Sequence, residues 1–366
     1  MIPGKATPEG TASYAKKHKA HEHHWRPALG LTLSSVGMGS YLGNADPLTD
    51  AKYAAALVQA LSSGINVIDS AINYRYQRSE RNLGLGLRQA VEKGLVSRDQ
   101  VLLCTKGGFI SGDMGPPSKE WFEETYVKPG IVGPGDFVAG CHCMAPRYVR
   151  HEVEQSLKNF GVSTIDVYYV HNAETQVGEV GEEEYYRRLT AAFRELEACA
   201  AEGKIQVYGT ATWNAHRVPP GEEGWVSLEK TLACAVEAGG AGHRFKVLQL
   251  PFNFGLPEAY VQPSQTWGGR PVTALEAASE AGLTVFTSVP LMQGKLLGRF
   301  AAGFKEKFPG LKTDAQRCLQ FARSTPGVTA PLCGMKDVAH VEENAAVVGV
   351  APFTTAEFQG AFGQSG

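Results

Sequence analysis

Apolar positions along this chain alternate between helical and strand-like spacing over most of its length. Residues 50–63 carry apolar side chains at helical spacing, Gly64 follows them, and the short apolar run 65–69 comes next. The same order of helix, turn residue and strand recurs six more times. Further helices are predicted at 79–93, 146–160, 184–202, 227–238, 271–281, 311–323 and 337–348, and further strands at 101–105, 165–170, 205–209, 247–250, 284–288 and 328–334.

With an opening strand near residues 36–40, the pattern amounts to eight βα units. Eight consecutive units favour closure into a (β/α)₈ TIM barrel, because closure removes both exposed sheet edges. Parallel strands buried on both faces should be continuously apolar, and VLLCT, IDVYYV and TVFTS mostly are. An open doubly wound sheet is the main alternative, but VGMGSYLG does not supply the GxGxxG turn that such a sheet normally carries after its first strand. We therefore predict one barrel domain over residues 28–366, preceded by a polar extension over residues 1–27.

One connection is far longer than the usual βα loop of about two to six residues. It covers residues 107–145, follows the third strand, and is rich in glycine, proline and aromatic residues. We interpret it as an insert over the barrel mouth, acting as a lid or selecting substrate, with a helical turn near residues 118–126. A second irregular stretch, 253–270, is expected to border the same mouth.

Composition excludes several classes of protein. The chain is 43% hydrophobic and 20% charged with a net charge of −2, which gives it no electrostatic attraction to nucleic acid or anionic membranes. No apolar run is long enough to span a bilayer, and the polar N-terminus lacks a signal-peptide core. The seven cysteines are an odd number in a long chain, so we expect reduced thiols and a cytoplasmic location.

Two stretches contain residues that commonly bind metals. The polar extension ends in four histidines between positions 18 and 24, and the insert contains Cys141, His142 and Cys143. Tails of this composition are usually solvated, and structural zinc normally needs four ligands, whereas no second pair matches the Cys-His-Cys run. We therefore expect no metal.

Ionisable residues follow the apolar strands where catalytic groups of a parallel barrel gather. Asp69, Lys106 and His171 each end a strand, and Tyr74 comes five residues after Asp69. A phenol has a pKa of about 10, which a neighbouring ammonium lowers by stabilising the phenolate. Lys106 can supply that charge, Asp69 can keep Lys106 protonated, and His171 can orient a substrate carbonyl. Such a site protonates an oxygen while a hydride arrives at carbon, which requires a nicotinamide or flavin.

Other readings of these residues stay open from the pattern alone. Tyr76 is close enough to Tyr74 to compete for its role. A lysine at a strand end can form a Schiff base, as in a class I aldolase-like barrel. The chain could also be a cofactor-binding redox sensor with little turnover.

Three of the strand-end segments, DSAINY, CTK and VHN, resemble motifs of the aldo-keto reductase superfamily, and the resemblance covers about residues 28–348. It implies reversible hydride transfer between NADPH and an aldehyde, ketone or sugar carbonyl, with Tyr74 as general acid–base and NADH as an alternative cofactor. The expected partner is a small carbonyl or alcohol substrate, with no nucleic acid or membrane. Neither the substrate nor the oligomeric state follows from the sequence.

The resemblance also implies the cofactor contacts. Asn172 and Gln249 would hold the nicotinamide carboxamide, SVPLMQGKLLG is similar to the pyrophosphate loop, and CGMKDVAHVEEN is similar to the adenosine segment. The expected cofactor-binding residues are Gly39, Ser40, Asp69, Asn172, Thr212, Gln249, Ser288, Val289, Leu291, Gln293, Gly294, Gly334, Met335, Lys336, His340, Glu343 and Asn344.

The chain departs from the superfamily pattern at a few positions. Ser288 stands where a large residue often stacks on the nicotinamide, and His340 stands where an arginine often binds the 2′-phosphate. Lys336 can replace that arginine as a point charge without its bidentate fork. The spacing from Tyr74 to Glu80 is two residues longer than usual, which should shift the start of the next helix.

Overall fold

Within residues 1–362, which the computed structural model describes, eight short parallel strands close into a barrel surrounded by helices. In chain order the strands are β1 (Trp25–Ala28), β2 (Leu31–Ser34), β3 (Gly37–Gly39), β4 (Val67–Asp69), β5 (Leu102–Gly107), β6 (Ile165–His171), β7 (Ile205–Ala211), β8 (Phe245–Pro251), β9 (Gln265–Trp267), β10 (Arg270–Val272), β11 (Thr284–Ser288) and β12 (Ala330–Gly334). The helices are α1 (Pro8–Lys17), α2 (Pro47–Ser62), α3 (Arg78–Glu92), α4 (Lys119–Phe122), α5 (Pro146–Phe160), α6 (Val177–Val180), α7 (Glu182–Ala201), α8 (Leu228–Gly239), α9 (Glu258–Val261), α10 (Ala274–Glu280), α11 (Ala302–Lys305), α12 (Asp314–Ser324), α13 (Val338–Ala345) and α14 (Thr355–Phe362).

The barrel contains β3 to β8 followed by β11 and β12, each paired in parallel with its neighbour. It closes where β12 pairs with β3, with Cys333 beside Met38. This closure confirms the predicted (β/α)₈ TIM barrel and excludes the open sheet. The barrel interior is filled by apolar side chains that include Val67, Val167 and Phe286.

Local sequence signals set most of the element boundaries. Helix α5 coincides with the predicted 146–160: it has a proline at its first position and ends at Gly161, whose φ of +67° suits a glycine cap. Strand β11 coincides with the predicted 284–288, and the other barrel strands agree within about two residues, a normal boundary difference.

The polar N-terminal extension is not solvated as expected. Helix α1 and the β1–β2 hairpin lie at the base of the barrel, where Leu33 packs among the interior side chains. Tyr14 is fully buried and donates a hydrogen bond to Leu61 O at 2.7 Å. His24 is fully buried, and burial lowers its pKa to about 4, so it is neutral. The expectation was wrong because these polar side chains find partners only when distant parts of the chain fold against them.

The insert after β5 packs on the flank of the barrel as well as at its mouth. The predicted helical turn near 118–126 is confirmed by α4 and a π-helical turn at 123–127. Tyr126 is buried there and donates to Glu152 Oε1 of α5 at 3.1 Å. Closure of the insert over the mouth as a lid stays a prediction.

Two further observations concern metal binding and membrane crossing. Within residues 1–362, no three His, Cys, Asp or Glu side chains come close enough to share a metal ion. Among the helices of the same residues, none combines the length and hydrophobicity that a bilayer crossing requires.

Candidate active site

Asp69, Lys106 and His171 lie at the carboxyl ends of the neighbouring strands β4, β5 and β6. Lys106 is fully buried, and its Nζ donates to Asp69 Oδ2 at 2.5 Å and to Ser70 O at 2.6 Å. Burial acts to lower the pKa of Lys106, but Asp69, with further contributions from neighbouring groups, raises that pKa overall. The lysine is therefore a charged group held beneath the site.

Tyr74 lies above this lysine, with Lys106 Nζ 5.1 Å from the centroid of its ring. Burial raises the pKa of Tyr74, while the charge of Lys106 acts to lower it. The phenol therefore keeps its proton at neutral pH and has a cation beside it that would stabilise the phenolate formed on proton transfer.

The ring of His171 lies next to Tyr74, with the two centroids 5.8 Å apart. Burial, together with the charge of Lys106, lowers the pKa of His171 well below its usual value. A neutral imidazole results, which can donate one hydrogen bond to a carbonyl oxygen. The structure thus brings together all four residues that the sequence singled out.

The segment between Tyr74 and α3, where the sequence has the longer spacing, has an unusual backbone. Arg75, Tyr76 and Gln77 have φ values of +52°, +56° and +68°, a left-handed run without glycine. Such backbone costs about 1–2 kcal/mol per residue, so side-chain bonds must hold it. The Arg75 guanidinium donates to Asn44 O at 2.8 Å and pairs with Asp50.

Tyr76 belongs to this left-handed run, whereas Tyr74 precedes it. Tyr74 lines the cavity above the lysine, whereas Tyr76 does not. Tyr74 is therefore the better placed of the two for acid–base chemistry.

A cavity of about 650 Å³ opens above Tyr74 and His171. Sixteen of the expected cofactor-binding residues line it. They are Gly39, Ser40, Asp69, Asn172, Thr212, Gln249, Ser288, Val289, Leu291, Gln293, Gly294, Gly334, Lys336, His340, Glu343 and Asn344. Met335 is the exception, because its side chain is fully buried in the apolar core, so a side-chain contact with a ligand in the cavity is not expected.

The donors around the cavity suit a nicotinamide dinucleotide. Amide side chains, Asn172 and Gln249, lie beside the four catalytic candidates, and Gln249 Nε2 donates to Asp69 Oδ1 at 3.0 Å. Past the end of β12, Lys336 and His340 supply nitrogen donors suited to a phosphate. The residues present therefore fit the cofactor that the resemblance implies.

Aromatic side chains at the mouth were missed by the sequence interpretation. Tyr41 is 54% exposed and its ring centroid lies 5.0 Å from that of Tyr74, while Trp213 is 44% exposed and also lines the cavity. The only available signal was their position just past β3 and β7, where barrel enzymes place functional residues. Phe109 of the insert lines the cavity as well.

The stretch 253–270, predicted to border the mouth, does not itself line the cavity but contacts the loop after β11 that does. Asn253 supports the site from behind, since its Nδ2 donates to Val289 O at 2.9 Å.

Residues 35–220 match the model of the aldo/keto reductase family, which is half of the chain. The chain therefore belongs to the aldo/keto reductase family, and the resemblance drawn from the sequence motifs is confirmed.

Curated relatives match over part of their length. The chain is 24% identical over 193 residues to an NADH-specific methylglyoxal reductase of Escherichia coli (strain K12), covering 51% of each. It is 26% identical over 187 residues to a D-threo-aldose 1-dehydrogenase of a Pseudomonas species, covering 50% of this chain and 51% of that one. The chain thus spans about half the length of the curated relatives it matches.

Solved structures share the fold over nearly the whole chain. An aldo-keto reductase from Bacillus halodurans in its holo form matches with a TM-score of 0.62 at 17% identity, covering 94% of this chain and 96% of that one. An aldo/keto reductase from Klebsiella pneumoniae, in complex with NADP and acetate, matches with a TM-score of 0.62 at 17% identity, covering 93% of this chain and 95% of that one. These neighbours agree with the closed barrel.

Proposed function

We propose that this protein is an NADPH-dependent aldo-keto reductase that reversibly transfers hydride between the nicotinamide and an aldehyde, ketone or sugar carbonyl. NADH is the alternative cofactor. The observation that carries the proposal is the meeting of Tyr74, Lys106, Asp69 and His171 at one end of a cavity lined by the expected cofactor residues.

Each of the four side chains has a distinct task in this reaction. The bound cofactor supplies or accepts the hydride. The Tyr74 hydroxyl gives its proton to the carbonyl oxygen during reduction and takes it back during alcohol oxidation. Lys106 stabilises the resulting phenolate, Asp69 keeps Lys106 charged, and His171 donates a hydrogen bond that orients the carbonyl.

A lysine at one end of the cavity supports a preference for the phosphorylated cofactor. Lys336 lines the cavity, and the neighbouring acid, Asp337, is paired with Lys52 at 2.7 Å. This pairing reduces the repulsion that a free carboxylate would exert on a 2′-phosphate. A structural neighbour binds NADP and one relative is described as NADH-specific, so the relatives allow either cofactor.

Replacing Tyr74 tests the proposal directly. With a panel of carbonyls and sugars followed by NADPH absorbance, Tyr74→Phe should lower turnover by about 10³-fold, because positioned proton transfer contributes about 10²–10⁴-fold. NADPH affinity should stay within about twofold, since the hydroxyl is not needed for binding. Tyr76→Phe is the matched control and should keep near-normal turnover; unchanged turnover in Tyr74→Phe would reject the assignment.

Two further measurements distinguish the reductase from an aldolase and from a redox sensor. A Schiff-base lysine must reach its substrate uncharged, whereas Lys106 is fully buried and held by Asp69 and Ser70. Borohydride trapping with a carbonyl should therefore give no adduct at Lys106, and an adduct would favour an aldolase. Tight NADPH binding with negligible oxidation across the panel would favour a sensor.

We also propose a cytoplasmic location. All seven cysteines are free thiols in the structure, and six of them are buried. Unpaired thiols of this kind are typical of a reducing compartment.

A further inference from the structure

His142, near the end of the insert, lies fully buried against the strand end that carries His171. Its Nε2 is 2.7 Å from the main-chain oxygen of His171. A carbonyl oxygen can only accept a hydrogen bond, so Nε2 of His142 carries the proton. The insert is thus bonded directly to the residue that orients the substrate.

The second ring nitrogen of His142 is also engaged. Its Nδ1 lies 3.0 Å from Nε2 of Gln176, whose Oε1 accepts from Arg188 at 3.3 Å. The contact with Arg188 fixes which end of the amide faces His142, so Nδ1 is the acceptor. Burial lowers the pKa of His142 to about 4, which keeps this one neutral tautomer in place.

Phe109 joins the two histidines through its ring. Its centroid is 5.2 Å from that of His142 and 5.1 Å from that of His171, edge to face in both pairs. The main chain of Phe109 is held as well, since its oxygen accepts from Tyr148 at 2.9 Å. One side of the His171 ring therefore rests on a residue of the insert.

The ring of His171 has no hydrogen bond of its own at Nδ1 among the residues that the structure describes. Its orientation depends on the edges of Tyr74 and Phe109 and on the position of its main chain. Both the main chain of His171 and the ring of Phe109 contact His142.

We propose that His142 is a positioning residue, which holds the main chain of His171 and the ring of Phe109 so that the imidazole of His171 faces the substrate carbonyl. This role rests on the proposed reductase function. The insert then serves the reaction itself, beyond any part it has in selecting substrate.

Paired substitutions at His142 test the role. His142→Leu removes the donor, whereas His142→Gln keeps an N–H in a similar place. The leucine variant should lower kcat about 10- to 100-fold, because a misplacement of about 1 Å can cost about 10²-fold. Its Kd for NADPH should stay within about twofold, and the glutamine variant should recover kcat to within a few-fold of the wild type.

His24 offers a matched control at the opposite end of the barrel. It is equally buried and neutral, and its Nε2 bonds Gly64 O at 3.0 Å. His24→Leu should lower the midpoint of thermal unfolding as His142→Leu does, yet leave kcat unchanged. Equal losses of kcat in the two leucine variants would overturn the positioning role.

A measurement without turnover separates this inference from the proposed function. Ring-nitrogen NMR signals of His171 should shift or broaden in His142→Leu and return towards the wild type in His142→Gln. Unchanged His171 signals in His142→Leu would overturn the inference. If the wild type reduced no carbonyl, only the proposed function would be overturned, because the NMR measurement needs no turnover. If His142→Leu does not fold, Gln176→Met is the alternative variant, because it removes the hydrogen bond to His142 Nδ1. It should shift the His171 ring-nitrogen signals less than His142→Leu would, and unchanged signals would overturn the inference.

Discussion

A single buried ammonium group determines the chemistry available to this site. Lys106 is fully buried, yet its carboxylate partner keeps its pKa raised. Both oxygens of Asp69 are occupied, one by Lys106 and one by Gln249, so that carboxylate cannot turn towards a substrate. The charge of Lys106, 5.1 Å from the centroid of the Tyr74 ring, acts to lower the pKa of that phenol.

Charge at the other end of the cavity should control the choice of cofactor. Lys336→Met should raise the Kd for NADPH by about 10-fold or more and leave the Kd for NADH within about twofold, because a phosphate contact is a charge-assisted bond. Fluorescence titration with each cofactor measures this. Lys230→Met, which removes a surface lysine paired with Glu182, should change neither value. Equal effects of Lys336→Met on both cofactors would argue against a phosphate contact.

The sequence singled out Asp69, Lys106 and His171 because each ends an apolar strand, and Tyr74 because it follows one of those strand ends by five residues. Tyr41 and Trp213 have no comparable pattern, since an aromatic residue in a loop can pack in the core or face a cavity and its sequence position does not distinguish the two. Met335 is a different case: residues on both sides of it line the cavity while its own side chain is buried in the core, because side-chain direction there depends on how the residues after β12 turn.

At the scale of elements, the connection from β4 to α3 is a strained part of the site. Three consecutive residues in left-handed conformation follow Tyr74 and are tied down by Asp50, which pairs with Arg75 and with Arg78. The position of Tyr74 therefore depends on a carboxylate in a different element, α2.

Removing that carboxylate should loosen the connection. The Arg75 guanidinium is 2% exposed, so Asp50→Ala should lower the free energy of unfolding by about 2–3 kcal/mol, somewhat less than for a fully buried pair because Asp50 is partly exposed. Turnover should fall about 10-fold as Tyr74 loses its fixed position. Urea unfolding and steady-state kinetics measure the two effects.

A surface pair provides the comparison. Asp113 pairs with Arg81 at 2.7 Å but is 48% exposed, so Asp113→Ala should cost less than about 1 kcal/mol. If Asp50→Ala cost no more than Asp113→Ala and left turnover unchanged, the connection would not depend on Asp50.

Most barrel strands and the long helices were predictable because their apolar periodicity and turn residues are local in the chain. The base of the barrel was not, because α1 and the β1–β2 hairpin are stabilised by contacts across long sequence distances. Tyr14 of α1, for example, donates to Leu61 O at 2.7 Å, and Ala6 N, just before α1, donates to Asp166 Oδ1 at 2.8 Å. The sequence of a polar segment without periodicity does not indicate which distant residues it will contact.

At the scale of the whole molecule, one buried carboxyl group connects three elements around the barrel. Glu80 of α3 accepts hydrogen bonds from Thr105 of β5 at 2.6 Å, and from Ser156 and Asn159 of α5 at 2.8 and 2.7 Å. Burial raises its pKa to about 7 despite these donors. The group therefore links global stability to pH.

The sign of that link follows from the two pKa values. The unfolded chain releases the proton of Glu80 near its ordinary pKa of 4.5, while the folded chain keeps it until about 7. Stability should therefore fall as pH rises through this window and level off above it. Relative to Glu80→Gln, the free energy of unfolding of the wild type should fall by at most about 1.4 kcal/mol per pH unit between these two pKa values. Urea unfolding of both proteins between about pH 5 and 8 measures the difference, and parallel curves would contradict the prediction.

The contact between the insert and the strand end of His171 limits how the loop can be redesigned. A side chain at Gly108 has no room, because a Cβ there would lie 2.6 Å from His171 O and 2.7 Å from His142 Nε2. Grafting a different loop after β5 to alter substrate scope would remove the partner of that oxygen. Exchange of this loop between related barrels should succeed only when Gly108, His142 and Gln176 are transferred as a group.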